Sequence, residues 1–179
     1  KNLPGWRDTV PQLFAVSTWV GYDLDGRSDI SWLDSFRLRL SEKKTSLDLY
    51  IEKLSPFLKS HSKVGRIIDE LSAERRATKA DLVRFSKIED NGFVEAANRL
   101  SERKDKLTAS KGFAERLRKI ASDTQNSEEA IELLAIAGDI ASNGFGLGEL
   151  HLRINAVQLA NAMGVADGKG NFVSLTDAS

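Results

Sequence analysis

The chain has 179 residues, 41% hydrophobic and 29% charged, which suits one soluble domain with a real core. Its 26 basic and 26 acidic residues cancel, so it lacks the basic excess that nucleic acid or an acidic membrane surface would favour. It has no cysteine, which excludes disulfides, zinc–thiolate sites and thiol nucleophiles and fits a cytoplasmic location. No apolar run approaches the roughly 20 residues of a membrane span, and no signal peptide is visible.

The chain opens on Lys1 rather than Met, as expected of a piece cut from a longer protein. Residues 1–7 read as a connection with a Pro4-Gly5 turn. Residues 13–20 are β-branched and aromatic and predict a buried strand. That run stops at Gly21, and Asp23, Asp25, Gly26 and Asp29 follow before a helix starts near Ile30, capped by Ser28 or Asp29. A buried parallel strand delivers polar groups to a site in this way, so the turn is the first place to look for function. It is not a calcium loop: counted from Asp23, glycine falls at the fourth position rather than the sixth.

Helical spacing of Trp32, Leu33, Phe36, Leu40, Leu47, Tyr50, Ile51 and Leu54 predicts a long helix, interrupted at Ser55-Pro56. A second helix spans 63–88, with a polar middle over 73–79 that reads as a break or a solvated face. Mixed charges around Glu42, Glu74 and Glu102 likewise read as solvated helix faces. Further helices are expected over 93–107, 112–121 and 127–141, the last capped by Ser127, apolar nearly all round and ended by Asn143-Gly144. His61, between two serines, reads as solvent-facing. The glycines at 144, 146 and 148 have the wrong spacing and context for a dinucleotide loop, and read as a terminator that lets two backbones approach.

Alternation over 150–156 predicts a second strand that places His151, Arg153 and Asn155 on one face. Residues 157–163 read as a further helix and 164–179 as a tail. The fold class is therefore mainly α: five to six helices over 30–142 and beyond, with two short strands. The whole, 1–179, reads as one helical segment of a larger α/β-barrel enzyme.

Two places together carry a family resemblance. Ser17-Thr18-Trp19-Val20-Gly21-Tyr22-Asp23-Leu24-Asp25-Gly26-Arg27 resembles the phosphoenolpyruvate carboxylase segment S-W-x-G-G-D-R-D-G-N. Asn143-Gly144-Phe145-Gly146 followed by Leu152-Arg153-Ile154-Asn155-Ala156-Val157-Gln158 resembles that family's F-G and V-R-[IL]-D-[IV]-R-Q. The resemblance implies a divergent branch of a lyase that adds bicarbonate to phosphoenolpyruvate, giving oxaloacetate and phosphate with Mg2+ or Mn2+. It implies barrel strands separated by long helices. It also implies that the catalytic histidine, the metal carboxylates and the arginine–glycine loop lie outside this chain, which would be inactive alone. Asp23, Asp25 and Gly26 match the first motif, and Leu24 replaces an arginine tied to sugar-phosphate activation. Arg153 and Gln158 match the second, Asn155 replaces its aspartate, and Val157 replaces an arginine that contacts substrate phosphate. His151 is a candidate substitute for that cation. The implied partners are the remainder of the parent polypeptide and a second copy of the chain, with no nucleic acid and no membrane. The competing reading is a non-catalytic helical interaction or scaffold module.

Overall fold

The computed structural model describes residues 4–6, 15–24, 29–88, 92–104, 106–107, 109–146 and 148–154. Among these residues the fold is mainly α. Strand β1 (Ser17–Thr18) is followed by α1 (Trp32–Leu54), a 3-10 turn (Ser55–Leu58), α2 (Ser62–Lys87), α3 (Phe93–Glu102), α4 (Lys111–Asp123), α5 (Ser127–Asn143) and β2 (Glu149–Leu150).

Helix α1 starts on a capping box. The Ser31 hydroxyl accepts from the Asp34 amide at 3.1 Å, and the Asp34 carboxylate accepts from the Ser31 amide at 3.2 Å. Ser31, not Ser28 or Asp29, is therefore the cap, because it alone has a carboxylate three residues on to close the box; Ser28 lies outside the described residues. Ser55-Pro56 ends the helix as expected, since proline is tolerated only in a first turn.

The short 3-10 turn sends α2 back against α1 as an antiparallel pair. The inward stripe of α2 is Val64, Ile67, Leu71, Glu74, Thr78, Asp81 and Phe85, spaced alternately three and four residues apart. Leu33, Phe36, Leu40, Lys43, Leu47, Tyr50 and Leu54 repeat that spacing on α1. This is the seam of a coiled-coil-like hairpin. Helix α2 does not break at its polar middle; Ala73, Arg76 and Lys79 are exposed there as expected of a solvated face, but the inward-facing polar residues are not. Glu74 is 3% exposed, Thr78 1% and Asp81 5%. They are buried because the seam runs straight through them and cations meet them there. Lys43 Nζ lies 2.6 Å from Glu74 Oε1, Arg103 Nη2 2.5 Å from the same oxygen, and Arg103 Nη1 3.4 Å from Asp81 Oδ2.

Helix α3 ends at Glu102 rather than 107, because Arg103 adopts an extended conformation (φ −61°, ψ 112°) that turns it toward those carboxylates. Helix α5 is capped by Asn126, whose side chain accepts from the Glu128 amide at 2.9 Å, and not by Ser127. Its all-round apolar composition translates into burial of Leu133, Leu134, Ile136 and Ile140, while Ile131 is exposed. The main core joins α1, α2, α4 and α5 around Leu47, Leu54, Leu71, Leu117 and Leu133. A smaller core gathers Leu33, Leu40, Phe85 and Ala96, with Phe36 and Phe93 packed on it. His61 is half-buried rather than solvent-facing, since its Nε2 lies 2.9 Å from Glu129 Oε2 at the start of α5.

The expected buried strand over 13–20 is two residues long where described, and Val16, Trp19 and Val20 are exposed. The strand expected over 150–156 is likewise short, Glu149–Leu150, with an isolated bridge at Arg153. The helix expected over 157–163 and the tail over 164–179 lie outside the described residues.

Candidate functional site

The two strands pair in parallel, Ser17 opposite Glu149 and Thr18 opposite Leu150. Glu149 N donates to Val16 O at 2.9 Å and His151 N to Thr18 O at 2.8 Å. Trp19, Val20 and Gly21 then loop out, closed by Tyr22 N donating to Trp19 O at 3.0 Å. Looping out removes their side chains from the sheet face and exposes Trp19 and Val20. Pairing resumes with Arg153 N donating to Tyr22 O at 3.2 Å and Leu24 N to Arg153 O at 3.0 Å, around the bridge Asp23–Arg153.

Two glycines make this geometry possible. Gly21 has φ +82°, and a Cβ there would overlap the Leu38 side chain. Gly148 has φ +109°, and a Cβ there would overlap the backbone carbonyl of Val16. The glycine run at the end of α5 thus does let two backbones approach. Helix α1 holds both segments. Ser35 Oγ donates to Gly21 O at 2.8 Å, and Tyr22 Oη donates to Glu42 Oε2 at 2.7 Å. Burial and the adjoining Glu42 carboxylate hold the Tyr22 hydroxyl well above the usual phenol range, so it stays a donor. Arg39 bridges Glu42 to the carbonyls of Gly146 and Gly148, tying the connection between α5 and β2 to α1. Sequence reasoning passed over Arg39; its signal is its place one turn before Glu42 on α1.

Of the candidate residues, the structure brings Asp23 and Arg153 together. Asp23 is 8% exposed, and its Oδ2 lies 3.4 Å from Arg153 Nη1. Its Oδ1 is buried and accepts no hydrogen bond among the described residues. The Arg153 side chain remains 58% exposed, so a carboxylate anchors one edge of a guanidinium that still faces solvent. Both groups stand at the carboxyl ends of parallel strands, where α/β folds place their polar chemistry. Leu24 is buried, at 8% exposure. His151 gives its amide to the strand pairing, while its ring is exposed and makes no hydrogen bond among the described residues. Asp25, Gly26, Asn155, Val157 and Gln158 lie outside the described residues, so the expected shared face of His151, Arg153 and Asn155 is described only at its first two members.

Among the described residues no three carboxylate or imidazole groups converge as a metal site would require. What the arrangement offers chemically is a positioned cation able to hold an anionic group. Comparison with family models, with curated proteins and with solved structures gave no match.

Proposed function

We propose that this chain is a segment of a phosphoenolpyruvate carboxylase-like enzyme and is inactive by itself. The observation that carries the reading is the parallel juxtaposition of its two motif-bearing segments. They are 130 residues apart in sequence, yet Asp23 abuts Arg153 at the same end of a strand pair. A helical excursion between adjacent parallel strands is how a barrel of alternating strands and helices is wound. In this reading Arg153 holds an anionic oxygen of the substrate, and Asp23 fixes the guanidinium. A positioned cation of this kind stabilises charge that builds up on an enolate or a departing phosphoryl group.

The residues described here do not fit the divalent ion that the resemblance implies, and the reading assigns its ligands to the remainder of the parent polypeptide. That remainder and a second copy of the chain are the proposed partners, and the proposed location is cytoplasmic. Among the described residues no helix is long and apolar enough to cross a membrane.

A second reading, a non-catalytic interaction module, is favoured by the apolar exposure at the strand pair: Trp19 at 54%, Val20 at 72% and Leu152 at 41%. In the enzyme these side chains meet the remaining barrel; in the module they meet another chain. The parent polypeptide separates the two. Supplied with phosphoenolpyruvate, bicarbonate and Mg2+, it forms oxaloacetate if the first reading holds, read by coupled reduction to malate. Absence of product with metal present favours the module.

A further inference from the structure

We propose that the groove between α2 and α4 binds a small phosphate monoester through Arg66 and Lys119. The two helices run antiparallel here, since Lys63 Nζ lies 3.3 Å from Asp123 Oδ2 and Arg116 Nη1 2.7 Å from Glu70 Oε1. Each helix offers the groove two cations and an isoleucine at i, i+3 and i+4, positions that share one helix face. They are Lys63, Arg66 and Ile67 on α2, and Arg116, Lys119 and Ile120 on α4. Ile67 and Ile120 are buried and form the floor. The groove holds about 250 Å3, below the roughly 300 Å3 at which drug-sized sites begin.

The cations pair off at the ends of the groove and stay open in its middle. Lys63 is taken by Asp123 and Arg116 by Glu70, and neither carboxylate meets a second cation among the described residues. Arg66 and Lys119 lie between these pairs, one from each helix, and form no ion pair among the described residues. Asp69 and Glu115 are one turn away from them on the same helices, yet neither lines the groove. A guanidinium presents a two-pronged fork and an ammonium a point charge. Together they call for three acceptor oxygens and two negative charges, which the terminal oxygens of a phosphate monoester supply. A carboxylate brings two oxygens and one charge. The ends are ordered in advance: Arg116 contacts Glu70 at 2.7 and 2.8 Å, and its guanidinium sits 4.3 Å over the Phe113 ring. The ends also limit length. From Lys63 to Glu70, and from Arg116 to Asp123, each helix rises about 10 Å, so an extended polyanion meets a carboxylate at either end. The inference stands apart from the enzyme reading, because it uses none of the residues near Asp23 and Arg153.

Titration of the full chain with glycerol phosphate, lactate and glycerol at pH 8 and constant ionic strength, followed by amide chemical shifts, tests it. Glycerol phosphate, a dianion at this pH, is expected to shift the resonances of Arg66, Ile67, Lys119 and Ile120. Lactate, a monoanion, is expected to bind at least about ten-fold more weakly, the scale of one charge-assisted hydrogen bond, and glycerol not at all. Arg66→Gln and Lys119→Gln should each weaken the ester about ten-fold. Neither breaks an ion pair among the described residues, so neither should lower the melting temperature of the free chain. Lys79→Gln removes an exposed α2 cation outside the groove and should leave binding unchanged. Lactate binding as tightly as the ester to the unsubstituted chain overturns the proposal whether or not a variant folds. So does ester binding unchanged in Arg66→Gln or Lys119→Gln, or equally weakened in Lys79→Gln. Binding of phosphatidate vesicles or a DNA oligonucleotide without binding of the ester overturns it in favour of a macromolecular partner.

Discussion

Replacing Glu74 by Gln probes the polar layer of the α1–α2 seam with little change in volume, so no cavity term enters. Glu74 accepts from Lys43 at 2.6 Å, from Arg103 at 2.5 Å and from the Leu107 amide at 3.2 Å, with its own side chain 2% exposed. The amide removes the negative charge and leaves two cations facing a neutral group. Breaking a buried ion pair from one side costs about 3–5 kcal/mol. The side chains of Lys43 and Arg103 keep 20% and 17% exposure, and Asp81 still partners Arg103, which places this case near the lower end, about 3 kcal/mol. For a chain of this size each kcal/mol moves the melting temperature by roughly 2–4 °C, so the variant should melt roughly 6–12 °C lower. Urea unfolding followed by far-ultraviolet circular dichroism measures the free energy directly. The double variant Lys43→Met, Glu74→Leu should recover about 1–2 kcal/mol of the loss, because apolar pairs replace buried ion pairs at little cost. A Glu74→Gln loss below about 1 kcal/mol would refute the reasoning, since that is the size of a surface pair.

Other outcomes follow from the same geometry. Gly148→Ala should lose amide-exchange protection at Glu149 and His151, at a local cost of about 1–3 kcal/mol, because its φ of +109° and the Val16 carbonyl leave no room for a Cβ. Ser31→Ala should cost about 1 kcal/mol of stability by removing the α1 cap. Arg116 holds Glu70 through two contacts, at 2.7 and 2.8 Å, and keeps its carboxyl below the usual glutamate range. The stabilisation is present above the ordinary glutamate pKa and is lost as pH falls through the lowered one. The deficit of Arg116→Ala, no more than about 1 kcal/mol for so exposed a pair, should therefore shrink as acid is added.

Most of the helical framework was legible because apolar spacing and punctuation agreed at each element. Ser55-Pro56 and Asn143-Gly144 mark true ends, and the α1 and α2 stripes follow from their apolar members. The polar seam was missed because Glu74 and Thr78 were weighed by residue type. Extending the three-four spacing of Val64, Ile67 and Leu71 lands on Glu74, Thr78, Asp81 and Phe85, so the signal was there. The same extension from Leu40 and Leu47 lands on Lys43. The caps moved by one to three residues because a cap is decided by which hydroxyl or amide reaches a free backbone N–H. The exposure of Trp19 and Val20 could not be read locally. It depends on Gly21 looping them out against a partner strand at the far end of the chain. The Asp23–Arg153 contact is equally non-local: two motifs suggested two strands of one sheet, but neither names the residue opposite it.

The most direct measurement is kcat/KM for oxaloacetate formation by the parent polypeptide, unsubstituted and with Arg153→Ala. The account predicts phosphoenolpyruvate- and bicarbonate-dependent product, reduced about 10–100-fold by the substitution, the worth of one charge-assisted contact to substrate. Partial recovery is expected in Arg153→Lys. A parent that forms no oxaloacetate, or one whose kcat/KM is unchanged by Arg153→Ala, would contradict it.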